Sequence, residues 1–122
     1  MILDTYAWIE YFLESEKGIK VKEIIKEGCY TSIVSLAEIV EWCIKNNHDA
    51  EEHIEIVKNL SQIIFLNDEA ALLAGKINYE KKKTIKNWGM IDSIIYSTAI
   101  INGMKIVTGD PHFRDLENVI MI

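Results

Sequence analysis

Met1-Ile2-Leu3-Asp4-Thr5 is the stretch from which the fold can be read. Three apolar residues run into an aspartate and a threonine. That is the pattern of a buried strand ending in a helix cap. The same arrangement returns along the chain. Cys29-Tyr30-Thr31 leads into Ser32, and the β-branched apolar run at 62–66 leads to Asp68. Lys105-Ile106-Val107-Thr108 leads into Gly109-Asp110-Pro111, with proline at the first position of a short helix. Residues 119–122 form a last strand.

Between these strands the apolar spacing is helical. Residues 6–14 are apolar nearly all the way round, so this helix buries a second face. Residues 17–27 place Ile19, Ile24 and Ile25 inside and four lysines outside, and Gly28 stops the helix. Residues 34–46 carry Leu36, Ile39, Val40, Cys43 and Ile44 at helical spacing. Residues 50–60 place Ile54, Val57 and Leu60 on one side. Asp68 caps a helix running to about Lys83 through Ala71, Leu72, Gly75 and Tyr79. Its end is basic, with Lys76, Lys81, Lys82, Lys83 and Lys86, and Asn87-Trp88-Gly89 breaks the pattern. Residues 91–102 form the most apolar helix. Strands alternating with helices predict βαβ units and an α/β fold whose parallel sheet is covered on both faces.

Composition sets the limits. The chain has 122 residues, 49% hydrophobic and 26% charged, as expected for one globular domain spanning residues 1–122. No apolar run approaches a membrane span, and Met1-Ile2-Leu3-Asp4 is not a basic leader, so the expected location is the cytoplasm. Cys29 and Cys43 match no zinc or redox spacing and read as buried thiols. The net charge of −6 is uneven: residues 1–75 hold six basic and fourteen acidic side chains, residues 76–122 seven and five. Bulk charge does not steer this protein to nucleic acid, so such a role needs a local basic patch or bound cations.

Four acids suggest where the chemistry lies. Ligands of a parallel sheet bind at the C-terminal ends of its strands, where Asp4 and Asp110 fall. Asp92 lies in the first turn of the most apolar helix, and Glu38 on the helix after the second strand. Each also has an ordinary role: Asp4 and Asp110 as helix caps, Asp92 as a partner of the helix dipole, Glu38 as a solvated side chain. If the second and fourth strands flank the first, all four converge on one cleft. Close carboxylates repel unless a cation neutralises them, and oxygen ligands suit Mg²⁺ or Mn²⁺. Such a metal activates water and stabilises charge on a phosphoryl group.

Met1-Ile2-Leu3-Asp4-Thr5, Ser35-Leu36-Ala37-Glu38, Met90-Ile91-Asp92-Ser93 and Val107-Thr108-Gly109-Asp110-Pro111-His112-Phe113 resemble, in order and spacing, the successive motifs of the PIN domain. More narrowly the chain resembles the VapC toxins of prokaryotic toxin–antitoxin pairs. The resemblance implies a three-layer PIN-like fold: a five-stranded parallel sheet of order 3-2-1-4-5 flanked by helices. It implies a Mg²⁺- or Mn²⁺-dependent ribonuclease, with Asp4, Glu38, Asp92 and Asp110 holding the metal and Thr108 orienting the cluster. It also implies an RNA substrate, a small antitoxin partner bound partly by the aromatic first helix (Tyr6, Trp8, Tyr11, Phe12), and a homodimer. The family often has a small polar residue two places after the first aspartate, where this chain has Tyr6. Thr5 supplies that hydroxyl, or the site lacks it.

The lysines at 76–86 either bind phosphates beside the cleft or are a solvated helix end. His48 and His53 are off one helical face and read as non-ligands. Glu41 and Asp115 read as solvated, and His112 as a surface histidine within reach of a phosphate. Two other readings compete. A receiver-like Mg²⁺ signalling domain needs paired acids after the first strand, an acceptor such as Asp68, and a Lys-Pro after the fifth. Asp4 is unpaired and no Lys-Pro occurs. The other is a PIN-fold RNA-processing nuclease outside a toxin–antitoxin pair.

Overall fold

The computed structural model describes residues 1–122. In chain order its elements are β1 (Ile2–Leu3), α1 (Thr5–Leu13), α2 (Glu16–Lys26), β2 (Tyr30–Ser32), α3 (Ile33–Lys45), α4 (Ala50–Leu60), β3 (Gln62–Ile64), α5 (Asp68–Lys81), α6 (Met90–Ile101), β4 (Ile106–Thr108) and β5 (Val119–Met121). A 3-10 turn spans Pro111–Phe113. The strands form one sheet of order β3-β2-β1-β4-β5, parallel throughout, as the family resemblance implies.

The alternation of side chains along each strand creates the three layers. Leu3 and Val107 point to one face, where they pack with Trp8, Val21, Ile39, Cys43 and Val57 from α1–α4. Ile2 and Ile106 point to the other, where they meet Trp88, Ile95, Tyr96, Ala99 and Phe113. Because β1 lies between β2 and β4, Leu3 pairs with both Thr31 and Val107. The residues that follow these strands are therefore neighbours at one end of the sheet. No helix is long and apolar enough to cross a membrane. Both cysteines are buried and free, and burial pushes their thiol pKa values up.

Several local expectations are corrected. Asn67, not Asp68, caps α5, accepting the Ala70 N–H at 2.9 Å. Asp68 falls inside the first helical turn. Ile19 is 60% exposed rather than inside. α2 turns Gly18 and Val21 toward α1 instead, so closely that a Cβ on Gly18 would lie 2.1 Å from the Glu10 carbonyl oxygen. Ile44, Leu72 and Tyr79 share the apolar spacing of their helices yet are also exposed.

Candidate active site

Each of the four acids is positioned by the first residues of a helix, by a neighbouring strand end, or by both. Asp4 follows β1 in extended conformation and caps α1, its Oδ1 accepting the Ala7 N–H at 2.8 Å. Cap and site residue are thus one side chain. Burial raises its pKa from 3.8 to about 7. The Thr108 hydroxyl and the Ala7 N–H oppose that rise, and the charges of Asp110 and Glu38 add to it.

Glu38 lies on α3 and is half-buried. Its Oε1 accepts the Thr5 hydroxyl at 2.6 Å. Burial raises its pKa, Thr5 opposes, and Asp92, Glu41 and Asp110 add to the rise. Asp92, three residues into α6, accepts the Gly89 N–H on Oδ2 at 3.0 Å. Burial again raises its pKa, Gly89 opposes, Asp110 raises it and His112 lowers it. Asp110 caps the 3-10 turn, Oδ1 accepting the His112 N–H at 2.9 Å. Thr108 is fully buried and accepts the Asp110 N–H on Oγ1 at 2.9 Å. It thereby ties Asp110 to the floor on which Asp4 rests.

All four acids line one cleft of about 200 Å³, together with Thr5, Tyr6, Ile9 and Ile95. Glu38, Asp92 and Asp110 each use one oxygen for an anchoring bond, and the hydrogen bonds of the protein leave the second oxygen without a donor. An ionised carboxylate accepts about four hydrogen bonds, so the cleft is under-supplied with positive partners. This is the setting in which a divalent cation is stabilised.

The family model of the PIN domain matches residues 1–119. The chain belongs to the PIN domain family. No curated protein shows a significant sequence match. Among solved structures, a toxin–antitoxin complex from Klebsiella pneumoniae matches with a TM-score of 0.77 at 18% identity, covering 98% of this chain and 95% of that one. DNA-bound VapBC from Salmonella typhimurium gives 0.74 at 19% identity over 99% and 95%. Mycobacterium tuberculosis VapC20, described as a sarcin-ricin loop cleaving toxin, gives 0.74 at 12% identity over 97% and 95%. At these identities the likeness establishes the fold.

The departure at Tyr6 has a structural reason within this PIN domain. A Cβ on Gly109 would lie 2.4 Å from Tyr6 Cε1, so the ring occupies space that only glycine leaves open. The Thr5 hydroxyl bonds Glu38. Tyr6 also meets a cation: Lys17 Nζ donates to Tyr6 Oη at 3.4 Å and stands 5.3 Å from the ring centroid. Lys17 is one of the four outward lysines of residues 17–27, and the packing of α2 on α1 brings it to Tyr6.

The lysine group divides. Lys83 pairs with Glu80 and stands over Tyr79. Lys82 and Lys86 are exposed on the segment leading into α6 and Asp92. Glu41 is exposed and paired with Lys45, and Asp115 is exposed. His48 stacks on Trp42, His53 meets Phe12 edge-on, and neither belongs to a metal-competent cluster.

His112 corrects an expectation. It is half-buried, not on the open surface, and its Nδ1 lies 3.5 Å from Asp110 Oδ1 and 3.8 Å from Asp92 Oδ2. These three side chains form the group whose ligating atoms all fall within 4.8 Å of one another. The readable signal was the spacing in Asp110-Pro111-His112, because a 3-10 turn with proline first folds the third residue back over its cap.

Proposed function

We propose that this PIN domain is a divalent-metal-dependent endoribonuclease, and that it is the toxin of a VapBC-type toxin–antitoxin pair. The observation that carries the reading is the convergence of Asp4, Glu38, Asp92 and Asp110 on one cleft, three of them with raised pKa values. Membership of the family supports it, and so do structural neighbours described as toxin–antitoxin complexes and as a sarcin-ricin loop cleaving toxin.

The donor set fits Mg²⁺ or Mn²⁺: clustered carboxylate oxygens, with no thiolate in the cleft. Asp4, Glu38, Asp92 and Asp110 would hold the ion. When bound, it supplies activation of water and stabilisation of charge on the phosphoryl oxygens. The protein's part is orientation. The N–H of Ala7 fixes Asp4, Thr5 fixes Glu38, Gly89 fixes Asp92, and the Thr108 oxygen fixes the Asp110 backbone. Rigid carboxylates need no reorganisation when charge develops. The lysines before α6 would meet the phosphates of the RNA strand.

The half-buried aromatic surface of α1 and α3 (Tyr11, Phe12 and Trp42) supports an antitoxin or homodimer contact. The direct test is cleavage of a labelled single-stranded RNA with Mg²⁺, Mn²⁺ or EDTA. Cutting that requires metal and vanishes in Asp92→Asn supports the nuclease. No cutting by folded, antitoxin-free protein across several RNAs argues against it. Co-purification with the product of a small adjacent gene separates a toxin from a processing enzyme.

A further inference from the structure

Resting on that reading, we infer that His112 Nδ1 is a further metal ligand in the cleft, and that it makes the site select a first-row transition dication over Mg²⁺. The ring nitrogen is buried and has no hydrogen-bond partner. Yet it faces two carboxylates, at 3.5 Å from Asp110 Oδ1 and 3.8 Å from Asp92 Oδ2.

Two arrangements explain a histidine beside two acids. The first is an imidazolium counter-charge. A charged N–H beside a carboxylate closes to about 2.8 Å. Neither gap is that short. The second is a shared ion. Around a cation with bonds of about 2.1 Å, adjacent ligands lie about 3.0 Å apart and opposite ligands about 4.2 Å apart. The measured gaps of 3.5 and 3.8 Å exceed the adjacent spacing by less than about 1 Å, and all three ligating atoms lie within 4.8 Å of one another, so a small adjustment of the side chains brings them onto one ion.

The backbone holds the ring in place. The His112 N–H is bonded to Asp110 Oδ1, Pro111 opens the 3-10 turn, and Phe113 is anchored in the core. The backbone that carries the ring is therefore fixed by three successive residues and does not belong to a free loop.

The chemistry of the donor decides the selectivity. Mg²⁺ is a hard ion that prefers oxygen and holds its waters. Imidazole suits transition ions, whose affinity for nitrogen sites rises from Mn²⁺ onward. Four carboxylates alone bind either ion, and a neutral imidazole added to them favours the transition ion.

The test uses Mn²⁺ as the probe on the full-length protein. Pulsed EPR of the Mn²⁺-loaded protein is expected to show nitrogen modulation from a directly bound imidazole. It persists in His48→Gln/His53→Gln and disappears in His112→Ala. By calorimetry, His112→Ala is expected to bind Mn²⁺ about tenfold more weakly. Mg²⁺ binding is expected to stay within about twofold of the parent. Mn²⁺ bound without nitrogen modulation, lost in Asp92→Asn, overturns the ligand role of His112 while leaving the acidic metal site standing. Tighter Mn²⁺ binding in His112→Ala also overturns it, because that is the behaviour of a displaced counter-charge. Absence of any Mn²⁺ binding by the parent protein overturns both. The spectrum of the parent protein decides the matter even if His112→Ala does not fold.

Discussion

The two tryptophan networks of the core and the carboxylate cleft treat polar groups in opposite ways. On one face, Trp8 Nε1 donates to Thr31 Oγ1 at 2.9 Å, Thr31 lies 2.7 Å from Ser61 Oγ, and Ser61 donates to the Val57 carbonyl at 2.7 Å. On the other, Trp88 Nε1 donates to Ser93 Oγ at 2.7 Å, and Ser93 donates to Asn78 Oδ1 at 3.1 Å. Each donor meets an acceptor within the chain, as buried polar groups require. A few ångströms beyond the ends of β1 and β4 that pairing stops. Four carboxylates gather with one anchoring bond each on three of them and with like charges as neighbours. A sequence that satisfies its buried indoles so fully leaves these acids under-satisfied, which is the arrangement the proposed cation site requires.

The comparison breaks most visibly through Asp4. Its folded pKa of about 7 lies above the 3.8 of an ordinary aspartate, so between those values the folded state binds more protons than the unfolded state. Its favourable contribution is complete below about pH 4 and is lost as pH rises through 7. The whole shift is worth on the order of 4 kcal/mol. The raised pKa values of Glu38 and Asp92 act in the same direction. EDTA-treated protein is therefore expected to melt about 10 °C lower at pH 8 than at pH 5. In Asp4→Asn, which keeps the cap, most of that slope disappears. A Tm independent of pH in the parent protein contradicts the account of the cleft.

Asp92→Asn removes a charge from the cleft and keeps the bond to Gly89. RNA cleavage is expected to fall by about 100-fold or more while Tm at pH 8 holds or rises. Retained cleavage removes Asp92 from the site.

Trp88→Phe tests the other side of the comparison. It leaves Ser93 Oγ without the indole donor and opens a small cavity, at a cost of about 2 kcal/mol in denaturant unfolding. Metal affinity is expected to be unchanged, and loss of metal binding would join the two regions that this comparison separates. The smallest effect belongs to Thr108→Val. It removes the hydroxyl beside Asp4 and the acceptor of the Asp110 N–H, and metal affinity measured by calorimetry should fall about tenfold.

Much of this was readable from residues. The strand-to-acid pattern of Leu3-Asp4 and Thr108-Gly109-Asp110 located two of the acids, because parallel strands deliver their C-terminal ends to one edge. The order β3-β2-β1-β4-β5 followed from the PIN motifs rather than from periodicity, and Glu38 joined the other acids on the condition that the second strand flanks the first. Contacts between elements were not readable. Ile19 has the spacing of a buried residue, but the close approach of α2 at Gly18 turns it outward. Tyr6 departs from the family pattern because Gly109, more than one hundred residues away, has no side chain. His112 was misjudged because a 3-10 turn follows neither the helical nor the strand period.

The most direct test of the cleft as a cation site is Mn²⁺ calorimetry on metal-free protein at pH 7, repeated in buffers of different ionisation enthalpy. The account predicts saturable binding that releases about half a proton from Asp4, with the release abolished in Asp4→Asn. Absence of binding, or binding and proton release that Asp4→Asn leaves unchanged, contradicts it.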